Sequence, residues 1–148
     1  MKKIIEAQSK VLGLLSGKLE GFYLAGGTAL SLFYFQHRES YDLDFFSRDF
    51  SRQKVDKIIA VLMGQGFSLQ LIGEQAGDKS ARMCRYSVPL EGNKALKIDF
   101  VEDFCELIKP LKSVNGIEVL SLPDIFFRKI LAVCGSVPRL DLTGIQVA

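Results

Sequence analysis

The chain has 148 residues, of which 48% are hydrophobic and 24% charged, and its formal net charge is +2. These values fit a single folded domain with one core and argue against intrinsic disorder. A charge this small neither announces nor excludes a polyanionic partner, so nucleic-acid binding has to be argued from local residues.

In chain order, Ile4, Ile5, Val11, Leu12, Leu15 and Leu19 recur near helical spacing and predict an amphipathic helix over 4–19, closed by Gly21. Phe22 to Ala25 is a short apolar run suited to a buried strand, ended by Gly26-Gly27, after which Thr28 is placed to cap a helix through Leu30, Leu32 and Phe33. A polar loop, His37 to Ser40, leads into a second strand, Tyr41 to Phe46. Ser51 or Asp49 opens the next helix, whose inner face is Val55, Ile58, Ile59, Leu62 and Met63, and Gly64 and Gly66 end it.

Three strands are predicted next, at 67–72, 82–89 and 95–101, the last two joined through Glu91-Gly92-Asn93, where Gly and Asn tolerate the positive φ of a tight turn. In the last of these strands apolar and charged residues alternate, which puts Lys97 and Asp99 on one face. Residues 103–111 read as irregular, and 116–120 as a small edge strand. Ser121 then caps a final helix with Asp124 three residues on, and Ile125, Phe126, Ile130 and Leu131 as its apolar positions. Phe45, Phe46, Phe126 and Phe127 are read as core rather than base-stacking residues. The order α-β-α-β-α-β-β-β-α predicts an α+β fold, a mixed sheet flanked by helices.

Lys2 and Lys3 are followed by Glu6, Gln8, Ser9 and Lys10, which interrupt any apolar run, so neither a signal peptide nor a membrane span is expected. Cys84, Cys105 and Cys134 are odd in number and lack the paired spacing of zinc sites or disulfide frameworks. Buried thiols in a reduced, cytoplasmic protein are the expectation.

The chemistry-bearing residues fall in two short stretches. Residues two apart on a strand face the same way, so Asp42 and Asp44 project together while Leu43 and Phe45 anchor the other face. Two close carboxylates repel, and a hard divalent ion such as Mg²⁺ or Mn²⁺ relieves the repulsion, with substrate phosphates and waters completing its shell. Asp99 becomes a third ligand if its strand is a neighbour. An EF-hand is a poor fit, because Ser47 and Gln53 stand where Gly and Glu are required. Gly26-Gly27 at a strand-to-helix turn lets backbone approach a phosphate closely, although in isolation a plain tight turn with Thr28 as N-cap is the better explanation. Neither Gly-x-Gly-x-x-Gly nor a Walker loop is present in this stretch. His37 lacks a partner at ligand spacing, and Arg82 and Arg85 fall on opposite faces of one strand.

Taken together, Gly26-Gly27-Thr28-Ala29-Leu30 and Arg38-x-Ser40-x-Asp42-Leu43-Asp44-Phe45 resemble the AbiEii/AbiGii-type toxin family of the nucleotidyltransferase superfamily. The resemblance runs through Lys97-Ile98-Asp99 and Leu120-Ser121-Leu122-Pro123-Asp124 to Lys129 and Ala132. It implies a polymerase-β-like mixed sheet flanked by helices, and metal-dependent transfer of a nucleotide from an NTP to an acceptor, which for toxin relatives can be a tRNA end. It also implies roles by position: Gly26, Gly27, Thr28 and Lys129 on the triphosphate, Asp42 and Asp44 on the metal, and Asp99 as the third acidic ligand or the base for the attacking hydroxyl. Lys97, on the face of Asp99, would either meet phosphate or pair with that carboxylate.

The family pattern continues past the Lys129 helix through an Arg and a basic-Asp pair into a longer helical region. Here Gly135 stands where that Arg is expected, and Arg139-Leu140-Asp141 matches the next motif only loosely. The expectation is one minimal domain over residues 1–148 with a shortened C-terminal helical region. Its first reading is the toxin of a toxin–antitoxin pair. Its alternatives are a nucleotide- or partner-binding remnant of the fold without chemistry, and a nucleotidyltransferase acting on a small molecule such as an antibiotic.

Overall fold

The computed structural model describes residues 2–35, 42–77 and 80–135. Helix α1 spans Lys2–Leu15, strand β1 Tyr23–Ala25, and α2 starts at Gly26–Ala29 and runs on as a π-helical segment, Leu30–Phe35. Strand β2 is Asp42–Ser47, helix α3 Arg52–Gly64, then β3 Gln70–Gln75, β4 Met83–Leu90, β5 Lys94–Glu102, β6 Lys112–Val114, β7 Ile117–Val119 and helix α4 Leu122–Gly135. The strands form one seven-stranded sheet in the order β3-β4-β5-β2-β1-β7-β6. It is mixed: β2 runs parallel to β5 and β1 parallel to β7, while the other pairs are antiparallel. The α+β architecture expected from the sequence is present.

One face of the central strands is apolar throughout. Leu24, Leu43, Phe45, Leu96, Ile98 and Phe100 are fully buried there and share one core cluster with Val11 and Leu15 of α1 and Val55, Ile58 and Leu62 of α3. The rings of Phe45 and Phe100 stack at 5.5 Å between centroids, and Phe22 meets Phe100 edge-on at 5.3 Å. Burying side chains of this size contributes on the order of 1.5–3 kcal/mol each. Because strand residues alternate, this arrangement forces Asp42, Asp44, Lys97 and Asp99 onto the opposite face.

Local chemistry explains most boundaries. Ser51 caps α3 by accepting from the Lys54 amide. The β4–β5 connection turns at Gly92 and Asn93, both at positive φ, and locks a register in which Leu90 faces Lys94. At the start of α4, Ser121 Oγ accepts from the Asp124 amide at 3.2 Å and donates to Asp124 Oδ2 at 2.7 Å. Asp124 also accepts the amides of Ile108 and Lys109 at 2.8 and 3.0 Å, which fixes the irregular stretch before β6.

Several expectations are corrected. Helix α1 ends at Leu15 rather than Leu19, because a turn at 16–21 intervenes. Strand β3 spans Gln70–Gln75 rather than 67–72, so Gly73 lies inside it, at a register shift. Ile117–Val119 is an interior strand, since it pairs with both β1 and β6. Met63, Phe126 and Ile130 are exposed rather than core. Cys84 is buried but Cys134 is exposed, and the cysteines are free thiols. Among the described residues, no helix is long and apolar enough to cross a membrane.

Candidate active site

The parallel pairing of β2 with β5 sets Asp44 directly beside Asp99. The antiparallel neighbours extend that line across the sheet: Ala25 pairs with Asp44 on one side, and Arg85 with Asp99 on the other. Strand β5 thus brings the third acidic residue expected from the sequence next to the first pair. Two residue pairs along, on the same face, Asp42 faces Lys97. Asp42 is exposed, Asp44 half-buried and Asp99 buried, so the row opens progressively towards solvent at Asp42.

Gly26 fits against this row. Its φ of 74° is one that L side chains rarely adopt, and a Cβ there would stand 2.5 Å from Asp44 Oδ2. The absence of a side chain is what lets the strand-to-helix turn and the Asp44 carboxylate occupy neighbouring space. Gly27 follows in the first turn of α2. Thr28 departs from expectation: Ala25 holds the N-cap position, with no side-chain cap, and the buried Thr28 hydroxyl donates to the backbone carbonyl of Asp42. It ties α2 to the first residue of β2.

The electrostatics are strained in a specific way. Burial pushes the Asp44 carboxyl up from its ordinary 3.8 to about 6, and the nearby charges of Asp99 and Asp42 add to the rise while Arg85 opposes it. Beside it, the Arg85 guanidinium forks onto both Asp99 carboxylate oxygens, Nε to Oδ1 and Nη2 to Oδ2, each at 2.8 Å. The same pairing raises the Arg85 pKa. Among the described residues, no group of three or more His, Cys, Asp or Glu side chains is arranged to hold a metal ion. The donor set that fits a hard divalent cation is the pair Asp42 and Asp44, two oxygen ligands whose mutual repulsion such an ion would relieve.

Arg85 is the residue that reading along the sequence missed. The signal was there: a turn centred on Gly92 pairs Leu90 with Lys94, and counting back five residues on each side puts Arg85 opposite Asp99. Lys97 is not the partner of Asp99; it is exposed and in register with Asp42. A second buried cluster was also missed. Asp103, just past β5, accepts from the Tyr23 hydroxyl and the Cys105 amide, and pairs with Arg128 of α4 at 2.8 Å. Burial first, and then the bond to Asp103, raise the Tyr23 pKa.

Lys129, next to Arg128 on α4, is exposed. Among the described residues it makes no hydrogen bond or ion pair to the aspartates. Arg38, Ser40 and His37, and the Arg139-Leu140-Asp141 stretch, lie outside the described residues.

Residues 13–141 match the family model described as nucleotidyl transferase AbiEii toxin, Type IV TA system. Solved structures share the fold. JHP933 from Helicobacter pylori is 17% identical with a TM-score of 0.61, over 89% of this chain and 58% of that one. MenT4, the nucleotidyltransferase toxin Rv2826c from Mycobacterium tuberculosis H37Rv, is 19% identical with a TM-score of 0.63, over 87% of this chain and 51% of that one. The chain therefore spans a little over half the length of these structural relatives. None of the curated proteins matches it.

Proposed function

Because the chain belongs to the AbiEii nucleotidyltransferase toxin family, we propose that it transfers a nucleoside monophosphate from an NTP to an acceptor hydroxyl at the Asp44–Asp99 row. The observation that carries the reading is the pairing of these two carboxylates on adjacent parallel strands, with Asp44 set against Gly26 at a strand-to-helix turn. The backbone amides of Gly26 and Gly27, at the start of α2, suit the triphosphate, and Lys129, on an exposed helix position, would supply a positive charge for the same group. Thr28 acts by holding α2 to β2, which keeps those amides beside the carboxylates.

Asp42 and Asp44 would hold a divalent ion, Mg²⁺ or Mn²⁺, which supplies charge stabilisation for the phosphates. Asp99 orients the acceptor hydroxyl and takes its proton. The hydroxyl oxygen forms a bond to the α-phosphorus, the bond from that phosphorus to the bridging oxygen breaks, and pyrophosphate leaves in line. An antitoxin is the partner we favour, from the family description as part of a type IV toxin–antitoxin system, and a tRNA end is the acceptor we favour, from the resemblance to toxin relatives alone. The protein is read as one minimal domain working in the cytoplasm.

The test is incubation with each α-labelled NTP, Mg²⁺ or Mn²⁺, and in turn total tRNA, total protein and an aminoglycoside. We expect label on tRNA, and a loss of at least about a hundredfold in Asp44→Ala. Undiminished labelling by that variant would overturn the assignment. Label on the aminoglycoside alone would replace the acceptor and keep the site. One observation favours a second reading, nucleotide binding without transfer: Arg85 occupies both oxygens of Asp99. Metal-dependent NTP binding with no labelled acceptor would establish it.

A further inference from the structure

Arg85 stands at the end of the carboxylate row, and nothing in the family's motif as it stands in this chain accounts for it. Its fork onto Asp99 is two-pronged, at 2.8 Å on each prong. Its exposure is the informative part. The Asp99 side chain is 9% exposed and that of Arg85 43%, so the guanidinium approaches the carboxylate from the open side of the sheet. Leaving Asp99 would not require the apolar core on the opposite face to open. The flank of Arg85 is clear as well, because its partner on β3 is Gly73, at the register shift of that strand.

Three carboxylates on two adjacent strands would be mutually repulsive without a compensating charge. Among the described residues, Arg85 supplies one to Asp99 and forms no ion pair with Asp42 or Asp44. We propose that Arg85 is a positioning residue that stands in for a cation at Asp99, so that the nucleotide-free protein binds a divalent ion through Asp42 and Asp44 alone, and that displacement of Arg85 frees Asp99 to complete the site. This rests on the metal assignment made above for Asp42 and Asp44. Asp99 is then held in place and screened until its partner moves, and the released guanidinium remains on the same open face, where phosphate oxygens suit its fork.

Mn²⁺ titration of the purified, nucleotide-free chain, followed by the loss of the free-ion electron paramagnetic resonance signal, tests this without turnover. Wild type is expected to bind Mn²⁺, Asp44→Asn to lose that binding, and Asp99→Asn to keep wild-type affinity. Arg85→Met is expected to bind about three- to tenfold more tightly, because Asp99 joins the ligands. The gain should vanish in the Arg85→Met/Asp99→Asn double variant and be largely absent in Arg85→Lys, which keeps a cation at the site. Circular dichroism on each variant confirms that a folded protein is being titrated. If wild type binds through Asp44 but Arg85→Met binds no more tightly, or if Asp99→Asn alone weakens binding, the Arg85 proposal is overturned and the metal assignment stands. If Asp44→Asn binds as well as wild type, or wild type does not bind, both are overturned.

Discussion

Among the described residues, the Asp99–Arg85 and Asp103–Arg128 pairs differ in what surrounds them. At Asp103 the pair is buried: its side chain is 3% exposed and that of Arg128 16%, and a tyrosine hydroxyl and a backbone amide add to the satisfaction of the carboxylate, while Arg128 Nε and Nη2 find no hydrogen-bond partner among the described residues. At Asp99 the pair is open on the guanidinium side, and an adjacent carboxylate, Asp44, has no such partner among the described residues. The first arrangement holds α4 to the end of β5 and to β1. The second leaves charge unresolved at the surface, next to a glycine turn. What separates the two is access: a buried carboxylate short of compensation marks a candidate site where a ligand can reach it.

The comparison is most sharply broken by removing one acid from each pair's neighbourhood. Asp103→Ala should cost about 3–5 kcal/mol, because it leaves the Arg128 charge buried without its partner. Urea unfolding would show this as a large fall in midpoint. A loss below about 1 kcal/mol would mean that Asp103 is no more structural than an exposed pair.

Asp44 should behave in the opposite sense. Its folded pKa of about 6 lies above its ordinary 3.8, so the folded chain holds that proton more tightly than the unfolded chain. Protonation therefore favours folding, and that advantage is lost as pH rises through about 6. Over the window from 3.8 to 6 the change amounts to about 2–3 kcal/mol. In chelator, Asp44→Asn should flatten this part of the stability profile and be the more stable protein at pH 8. Equal slopes in wild type and variant would show that Asp44 is not strained.

Much of the fold was legible because its signals were local. The alternation of Leu96-Lys97-Ile98-Asp99-Phe100, the Ser121–Asp124 cap and the Gly92-Asn93 turn each specified their element directly. The site was legible only in part. Asp42, Asp44 and Gly26 came from a strand and a turn close together in sequence, and the adjacency of β2 and β5 could be posed only as a condition. Arg85 needed the hairpin register to be counted through. The Tyr23–Asp103–Arg128 cluster joins β1 to a residue 80 positions away, and that residue to α4, through a packing that no periodicity encodes. Thr28 was misread as a cap because Gly26 already starts the helix, leaving Thr28 inside it and within reach of the Asp42 carbonyl. The exposed Phe126 and Ile130 show the same limit, since a helical stripe predicts an apolar face but not its cover.

The central claim is nucleotidyl transfer at the Asp44–Asp99 row, and the most direct measurement compares two labels in one reaction. The protein is incubated with acceptor RNA, divalent cation and NTP carrying its label on either the α- or the γ-phosphate. The account predicts that α-label becomes attached to the acceptor, that γ-label leaves only as pyrophosphate, and that Asp44→Asn does neither. Attachment of γ-label, or transfer of α-label by Asp44→Asn at the wild-type rate, would contradict it.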